Sequence, residues 1–150
     1  MSSSLFTVRI AIEKDASVVS ALEQQCVYES ESFRGYSQLF EEVPFIGADF
    51  DSVLGNSRRQ VLVIESSGVV CGYADMQMSD SVAMIRRVYV SETARELGAG
   101  ALLIDELRTR AKSHGCTRID AYTLPGDRLT KNLFERAGMK ARLLIASSDL

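Results

Sequence analysis

The sequence predicts a mixed α/β sheet, with antiparallel strands early in the chain and crossover helices late, in a single domain over residues 1–150. Three observations carry that expectation. β-rich runs follow one another from Arg59 to Val90 with only short turns between them; two amphipathic patterns after Gly98 each end at a glycine; and strand-like runs alternate with those helices. A chain of 150 residues is long enough for one well-buried core.

Taken in order, residues 5–12 alternate and are rich in β-branched and aromatic types, which predicts a first or edge strand. Asp15 then offers an N-cap, and Val18, Val19, Leu22 and Cys26 recur at helical spacing up to about Tyr28. From Glu29 to Ser57 the periodicity breaks around Gly35, Pro44, Gly47 and Gly55, yet four of the six Phe lie here. A polar linker would not spend aromatics this way, so short helices or turns forming a lid or pocket wall are expected. Gln60–Glu65, a turn at Ser66–Gly68 and Val69–Met78 read as a hairpin, and Ser79-Asp80 turns into Val82–Val90 to complete a meander. Ala101, Ile104, Leu107 and Ala111 then form the apolar stripe of a helix from Gly98 to about His114, closed by Gly115. Arg118–Thr123 is a short strand. Arg128–Ala137, with Leu129, Leu133 and Ala137 four apart and Gly138 beyond, is a second such helix, and Met139–Ala146 is expected to be the final strand.

Composition narrows the function classes. A hydrophobic share of 46% and a charged share of 25% describe a folded globular chain. A net charge of -3 argues against a nucleic-acid binder that neutralises phosphates over a broad surface. The charge is unevenly spread. Residues 1–80 hold 5 Lys/Arg against 12 Asp/Glu, and residues 81–150 hold 12 against 8. Cys26, Cys71 and Cys116 have neither disulfide-framework nor zinc spacing, so no metal is expected and a reducing, cytoplasmic setting is. No basic stretch followed by an apolar one opens the sequence, and no run of about 18 apolar residues occurs, so neither a signal peptide nor a membrane span is expected.

The most informative residues are Arg95-Glu96-Leu97-Gly98-Ala99-Gly100, between a strand ending near Val90 and the helix that follows. Glycines at a helix start admit a ligand close to backbone, the first N–H groups there lack partners, and the macrodipole adds about half a positive charge. That favours an anion such as phosphate, with Arg95 available to supplement the amides. The plainer reading is that Gly98 and Gly100 allow helix and sheet to pack closely. A Walker loop is excluded because Gly100 is followed by Ala101-Leu102 rather than Lys-Ser/Thr. A dinucleotide fingerprint is only half present, with Leu103 at its last glycine position and seven residues between Val90 and Gly98.

The stretch Arg86-Arg87-Val88-Tyr89-Val90-Ser91-Glu92-Thr93-Ala94-Arg95-Glu96-Leu97-Gly98-Ala99-Gly100-Ala101-Leu102-Leu103 resembles the strand, loop and Q/R-x-x-G-x-G/A signature of the GNAT superfamily of acyl-CoA-dependent N-acyltransferases. Leu133-Phe134-Glu135-Arg136-Ala137-Gly138-Met139 is similar to that family's "L-Y-E-K-x-G-F" segment. The resemblance implies a GNAT-type mixed sheet whose central strand (82–90) splays from the next strand (117–123), with the pantetheine arm of acetyl-CoA in the V between them. It implies backbone pairing of pantetheine with Val88 and Val90, pyrophosphate held by amides of Arg95, Glu96, Leu97, Gly98, Ala99, Gly100 and Ala101, and a cofactor contact at Phe134. It also implies acetyl transfer from acetyl-CoA to a primary amine, small-molecule or peptide, and a family that often dimerises. The acidic and basic halves suit a cationic amine and a polyanionic cofactor, respectively. A non-catalytic acyl-CoA-binding module of the same fold is the alternative.

The chemistry falls to residues outside the family's usual positions. The customary Tyr general acid aligns with Phe134, the Glu often found on the central strand aligns with Met84, and an Asn aligns with Asp127. Tyr89, on the central strand, is the candidate proton donor. An acceptor amine must lose a proton before attack, and Glu31 is the candidate base among Glu29, Glu31, Glu41 and Glu42, with Asp75 and Tyr89 as rivals. His114 sits at a helix end and is expected to be exposed; Cys71 and Cys116 read as small core residues.

Overall fold

The computed structural model describes residues 5–150. Five strands form one sheet whose spatial order equals the chain order: β1 (Thr7–Ile10), β2 (Arg59–Ser66), β3 (Val69–Ser79), β4 (Val82–Val90) and β5 (Arg118–Ala121). Neighbours are antiparallel except β4 and β5, which run parallel and therefore need a crossover, supplied by helix α4 (Ala99–Ser113). Between β1 and β2 lie α1 (Ala16–Ser30), α2 (Tyr36–Glu42) and α3 (Phe50–Leu54); α5 (Arg128–Arg136) follows β5.

The two-residue period of the strands sends alternate side chains to two cores. Leu62, Ile64, Ala74, Met76 and Ile85 pack against Leu103, Ile104 and Leu107 of α4 and Phe134 of α5. Val61, Val63, Tyr73 and Tyr89 take Val19 and Leu22 of α1 and Phe50 and Val53 of α3 on the other face. Both faces of β2 are thus covered, which is why Gln60–Glu65 reads as a continuous apolar run rather than an alternating one. Segment 31–57 is built of short helices, as its aromatics predict. Tyr36 stacks on Phe40 with centroids 6.2 Å apart, and Phe40 meets Phe45 at 5.8 Å.

Two expectations need correction. The first strand is shorter than residues 5–12, because β2 offers partners only to Thr7–Ile10. The expected final strand over Met139–Ala146 does not form. Residues 139–150 carry no regular secondary structure, and Leu143, Leu144 and Ile145 are 81%, 87% and 75% exposed. β-propensity is realised only against a neighbouring strand, and no strand among the described residues pairs with this segment. Elsewhere His114 is exposed and Cys116 buried, as expected, while Cys71 is half-buried.

The turn from β1 into α1 is closed by Asp15, which accepts from Arg9 Nη1 at 2.8 Å and Nη2 at 3.0 Å and from the Ile12 amide at 2.8 Å. The Arg9 hydrogen bond holds the Asp15 carboxyl below its ordinary value of 3.8, against the opposing effect of burial. A depressed folded-state pKa gives stability that is complete above the unfolded value and lost as pH falls through the folded one. The stability difference between wild type and Asp15→Asn, measured by urea titration, is expected to be constant from neutral pH to about pH 5 and to shrink below pH 4.

Candidate active site

The site is built on strand β4, which is paired along its full length on one side only. Its ladder with β3 runs from Val82 to Val90, whereas its ladder with β5 stops at Ile85–Ala121. Beyond Ile85 the two parallel strands part. Ser91 N–H donates to the Cys71 carbonyl at 2.8 Å, and this fixes the phase of the antiparallel ladder. Pairs 71–91, 73–89 and 75–87 exchange hydrogen bonds, so the N–H and C=O of Val88 and Val90 point away from β3 into the opening beside β5. The Val90 carbonyl there accepts from Arg95 Nε at 2.9 Å.

A β-bulge marks where the strands part. Asp75 faces Arg87 and Met76 faces Ile85, leaving Arg86 as an extra residue on β4. The bulge turns Arg86 and Arg87 toward the α1 side. Asp75, 1% exposed, accepts from Arg59 Nε and Nη2 at 2.6 and 2.7 Å and from Arg86 Nε at 3.3 Å. Arg86 also donates to the Pro44 carbonyl at 3.0 Å, and Arg87 to that of Val43 at 2.6 Å with its guanidinium 4.4 Å from the centre of the Phe45 ring. Burial and the neighbouring Arg59 charge push the Arg86 pKa down, and Asp75 partly offsets this.

Glu23 of α1, 5% exposed, holds the same 43–47 segment: it accepts from the amides of Ile46 at 2.8 Å and Gly47 at 3.0 Å and from Tyr73 Oη at 3.3 Å. One turn and a half along α1, Glu29 accepts from the Tyr89 hydroxyl and pairs with Arg95 at 2.7 Å. The Arg95 guanidinium lies 5.5 Å from the Tyr89 ring centre. Burial, then the hydrogen bond and charge of Glu29, raise the Tyr89 pKa, so the phenol keeps its proton at neutral pH. Cys26, on the same stripe of α1, is pushed up to about 11 by burial and is a thiol, not a thiolate, at neutral pH.

At the far end of the opening α4 begins without a side-chain cap, at Gly98 with φ of +92° and open space where a Cβ would sit. The first amides of a 15-residue helix are therefore free to meet an anion. Gly100 answers to packing as well: a Cβ there would lie 2.9 Å from Leu133 Cδ1 of α5. Gly100 thus allows close packing, of α4 on α5 rather than on the sheet, and Gly98 leaves the helix start open.

The predicted residues fall in three places. Val88, Val90 and the 95–101 loop share the opening between β4 and β5 and the start of α4. Tyr89 sits on the α1 face beside Glu29, while Glu31 is exposed at the C-cap of α1 and its charge acts on Tyr36. Phe134 is buried, 6% exposed, in the core under α4. Asp75, the rival base, is buried between Arg59 and Arg86, and only the fold brings these three together.

A family model described as "Acetyltransferase (GNAT) family" matches residues 21–139. The chain belongs to the GNAT acetyltransferase family. Solved structures agree on the fold. The aminoglycoside N-acetyltransferase AAC(6')-Iy, in complex with the bisubstrate analogue CoA-S-monomethyl-acetylneamine, gives a TM-score of 0.73 at 15% identity over 97% of this chain and 99% of that one. A Bacillus halodurans protein studied as a tetramutant gives 0.81 at 17% identity over 96% and 99%, and a transcriptional regulator from Bacillus halodurans C-125 gives 0.74 at 19% over 97% and 99%. At these identities the likeness is one of fold. No curated protein matches the chain. No helix among the described residues is long and apolar enough to cross a membrane.

Because Glu23 accepts from the amides of Ile46 and Gly47, Glu23→Gln is expected to lower stability by about 1–3 kcal/mol in chemical denaturation. Hydrogen exchange at the Ile46 and Gly47 amides should accelerate more than that global loss accounts for.

Proposed function

We propose that this chain transfers an acetyl group from acetyl-CoA to a primary amine, by direct transfer within one site. The observation that carries the reading is the one-sided pairing of β4. Val88 leaves an N–H and a C=O facing the opening, and the opening leads to the uncapped start of α4. An extended amide-rich arm ending in a pyrophosphate has the chemistry to meet both, with its amides on strand backbone and its phosphates on helix amides. The similarity in fold to an acetyltransferase crystallised with a CoA-derived analogue supports this. The Arg95 guanidinium is turned to Glu29 and the Val90 carbonyl, so in this reading it braces the loop while the amides of Gly98 to Ala101 take the phosphates.

Acetyl-CoA, when bound, supplies a thioester whose acyl carbon is the electrophile. The chain's own residues position it and move protons. In our reading Glu29, whose side chain is 35% exposed beside Tyr89 at 8%, takes the proton of the incoming amine. Neutralising Glu29 removes two of the three leading causes that raise the Tyr89 pKa, its hydrogen bond and its charge, and leaves burial. The phenol thereby becomes a stronger acid when the thiolate of CoA needs a proton, and Glu29 then returns its own proton to Tyr89. The exchange balances: the amine loses one proton, the thiol gains one, and the pair is restored. Glu31, exposed two residues further on, is the second carboxylate in reach of an acceptor approaching from this side. The carboxylates favour a cationic small amine or a peptide amine as acceptor.

Two experiments test the reading. CoA is expected to stabilise the wild type by about 2.7 kcal/mol at a hundredfold excess over Kd, and Gly98→Asp to abolish that shift. An Asp at a φ of +92° is strained and is expected to lower the variant's own stability, so the CoA shift is read against the ligand-free variant, whose carboxylate stands at the helix start and repels phosphates. In a thiol-release assay, Tyr89→Phe and Glu29→Gln are each expected to lower turnover by about 10² to 10⁴ with the KM for acetyl-CoA little changed. The double variant should be no slower than the slower single, since one proton path is lost once. Unchanged turnover in Tyr89→Phe would return the proton to water, and absent turnover in the wild type with CoA binding intact would favour the non-catalytic module.

A further inference from the structure

The segment that leaves β5 and the turn that joins α1 to α2 frame a groove beside the proposed site. Because β4 and β5 are parallel, the chain departs from β5 at the end of the sheet where the two strands part. There it meets the α1–α2 turn at two glycines. Gly35, with φ of +84°, would set a Cβ 3.4 Å from Leu124 Cδ2, and a Cβ on Gly126 would lie 3.3 Å from Phe33 Cδ1. Between the two loops lies a groove of about 500 Å³ lined by Ser32, Phe33, Arg34, Pro125 and Gly126. A volume of that order suits a small molecule. Glu29, in the last turn of α1, comes four residues before Phe33.

Arg34 is the anomaly in this wall. It is the one Lys or Arg in residues 15–57, a stretch that holds eight Asp and Glu. No carboxylate takes it up: Arg34 is exposed and makes no ion pair or hydrogen bond with any of the described residues. The other arginines around the site are occupied, Arg86 and Arg87 by the carbonyls of Pro44 and Val43 and Arg95 by Glu29. A cation left free in an acidic segment is available to an anion from outside, and beside Phe33 and Pro125 that anion is best carried on an apolar body.

We propose that this groove binds the non-reacting end of the acceptor, and that the acceptor is an amino acid with an apolar side chain. Its carboxylate lies on Arg34, its side chain against Phe33 and Pro125, and its amine toward Glu29. The inference rests on the proposed acetyl transfer and narrows its acceptor. A guanidinium can meet a carboxylate with two parallel N–H donors, which gives the pair direction as well as charge. A polycationic acceptor is disfavoured in the same place, because its second ammonium would stand beside Arg34.

Binding is tested first without turnover, by calorimetric titration of phenylalanine and of phenethylamine into the protein saturated with CoA. The two share amine and ring and differ by the carboxylate. Phenylalanine is expected to bind tighter by about tenfold or more, with Arg34→Gln bringing the two to the same affinity and Arg34→Lys keeping part of the difference. The thermal shift with CoA shows that each variant is folded. In the thiol-release assay the same preference should appear in kcat/KM. Equal affinities in the wild type, no binding of phenylalanine, or a preference that survives Arg34→Gln overturns the proposal. Thiol release that is faster with phenethylamine than with phenylalanine also overturns it and leaves the acetyl transfer standing. A carboxylate preference in binding that Arg34→Gln removes, with no thiol release from any amine, has the opposite meaning: the groove stands and the transfer fails.

Discussion

Strand β4 has two ladders to satisfy and completes only one of them. Hydrogen bonds to β3 hold it from Val82 to Val90, but the parallel partner β5 follows it only as far as Ile85. Backbone groups left without partners in a protein interior are costly, so a strand end that parts from its neighbour must face water or a ligand. The bulge at Arg86 is the local cause. One extra residue on β4 bends the strand and increases its twist at the level where the β5 ladder ends. Residues before the bulge build sheet; those after it build a site.

The bulge must in turn be held, and the α1 face holds it with charge. An extra residue in a strand has no ladder partner to fix it, but Arg86 and Arg87 are clamped by Asp75 and by the carbonyls of Val43 and Pro44. Asp75 is nearly inaccessible and has two guanidiniums, so removing it leaves two cations desolvated beside each other. Truncating one member of such a buried cluster costs about 3–5 kcal/mol, more than an exposed pair contributes. The same arginines hold the carbonyls of Val43 and Pro44 against β4, while Glu23 holds the amides of Ile46 and Gly47 from α1. The bulge and the 43–47 segment are therefore tied together through charged groups.

Much of this was legible in the sequence, and the exceptions have physical reasons. The meander, the crossover helix and the glycine-rich start of α4 were read from periodicity and turn residues, which report local structure and the burial of one face. The sequence reading favours Glu31 as the base and the proposed function favours Glu29, because Val19, Leu22, Glu23 and Cys26 are inward on α1 and Glu29 lies three residues on from Cys26. A carboxylate on the inward stripe of a helix is the signal that marks both Glu23 and Glu29. The final strand was misread because propensity describes what a segment fits, and whether a neighbour is there to fit is a property of the whole fold. Asp75 and Arg59 lie sixteen residues apart on paired strands, and no pattern within a window of one element brings them together.

The uneven spread of charge along the chain takes a different meaning once the chain is folded. The acidic half and the basic half meet at the site through two ion pairs. Asp75 is taken up by Arg86 from beyond residue 80 and by Arg59 from its own half, and Glu29 is taken up by Arg95. Glu23 is spent on backbone amides. Of the carboxylates on this face, Glu29 alone combines an ion pair with substantial exposure, so a cation arriving there competes with Arg95 for it rather than meeting a free charge. In the proposed function, selectivity for a cationic acceptor depends on whether the exchange of Arg95 for an ammonium releases the guanidinium to something better than water. The free amides at the start of α4, three residues on from Arg95 and suited to phosphates, mark where a released guanidinium would find an anion. Acceptor binding and cofactor binding would in that case share one arginine, and each would favour the other through it.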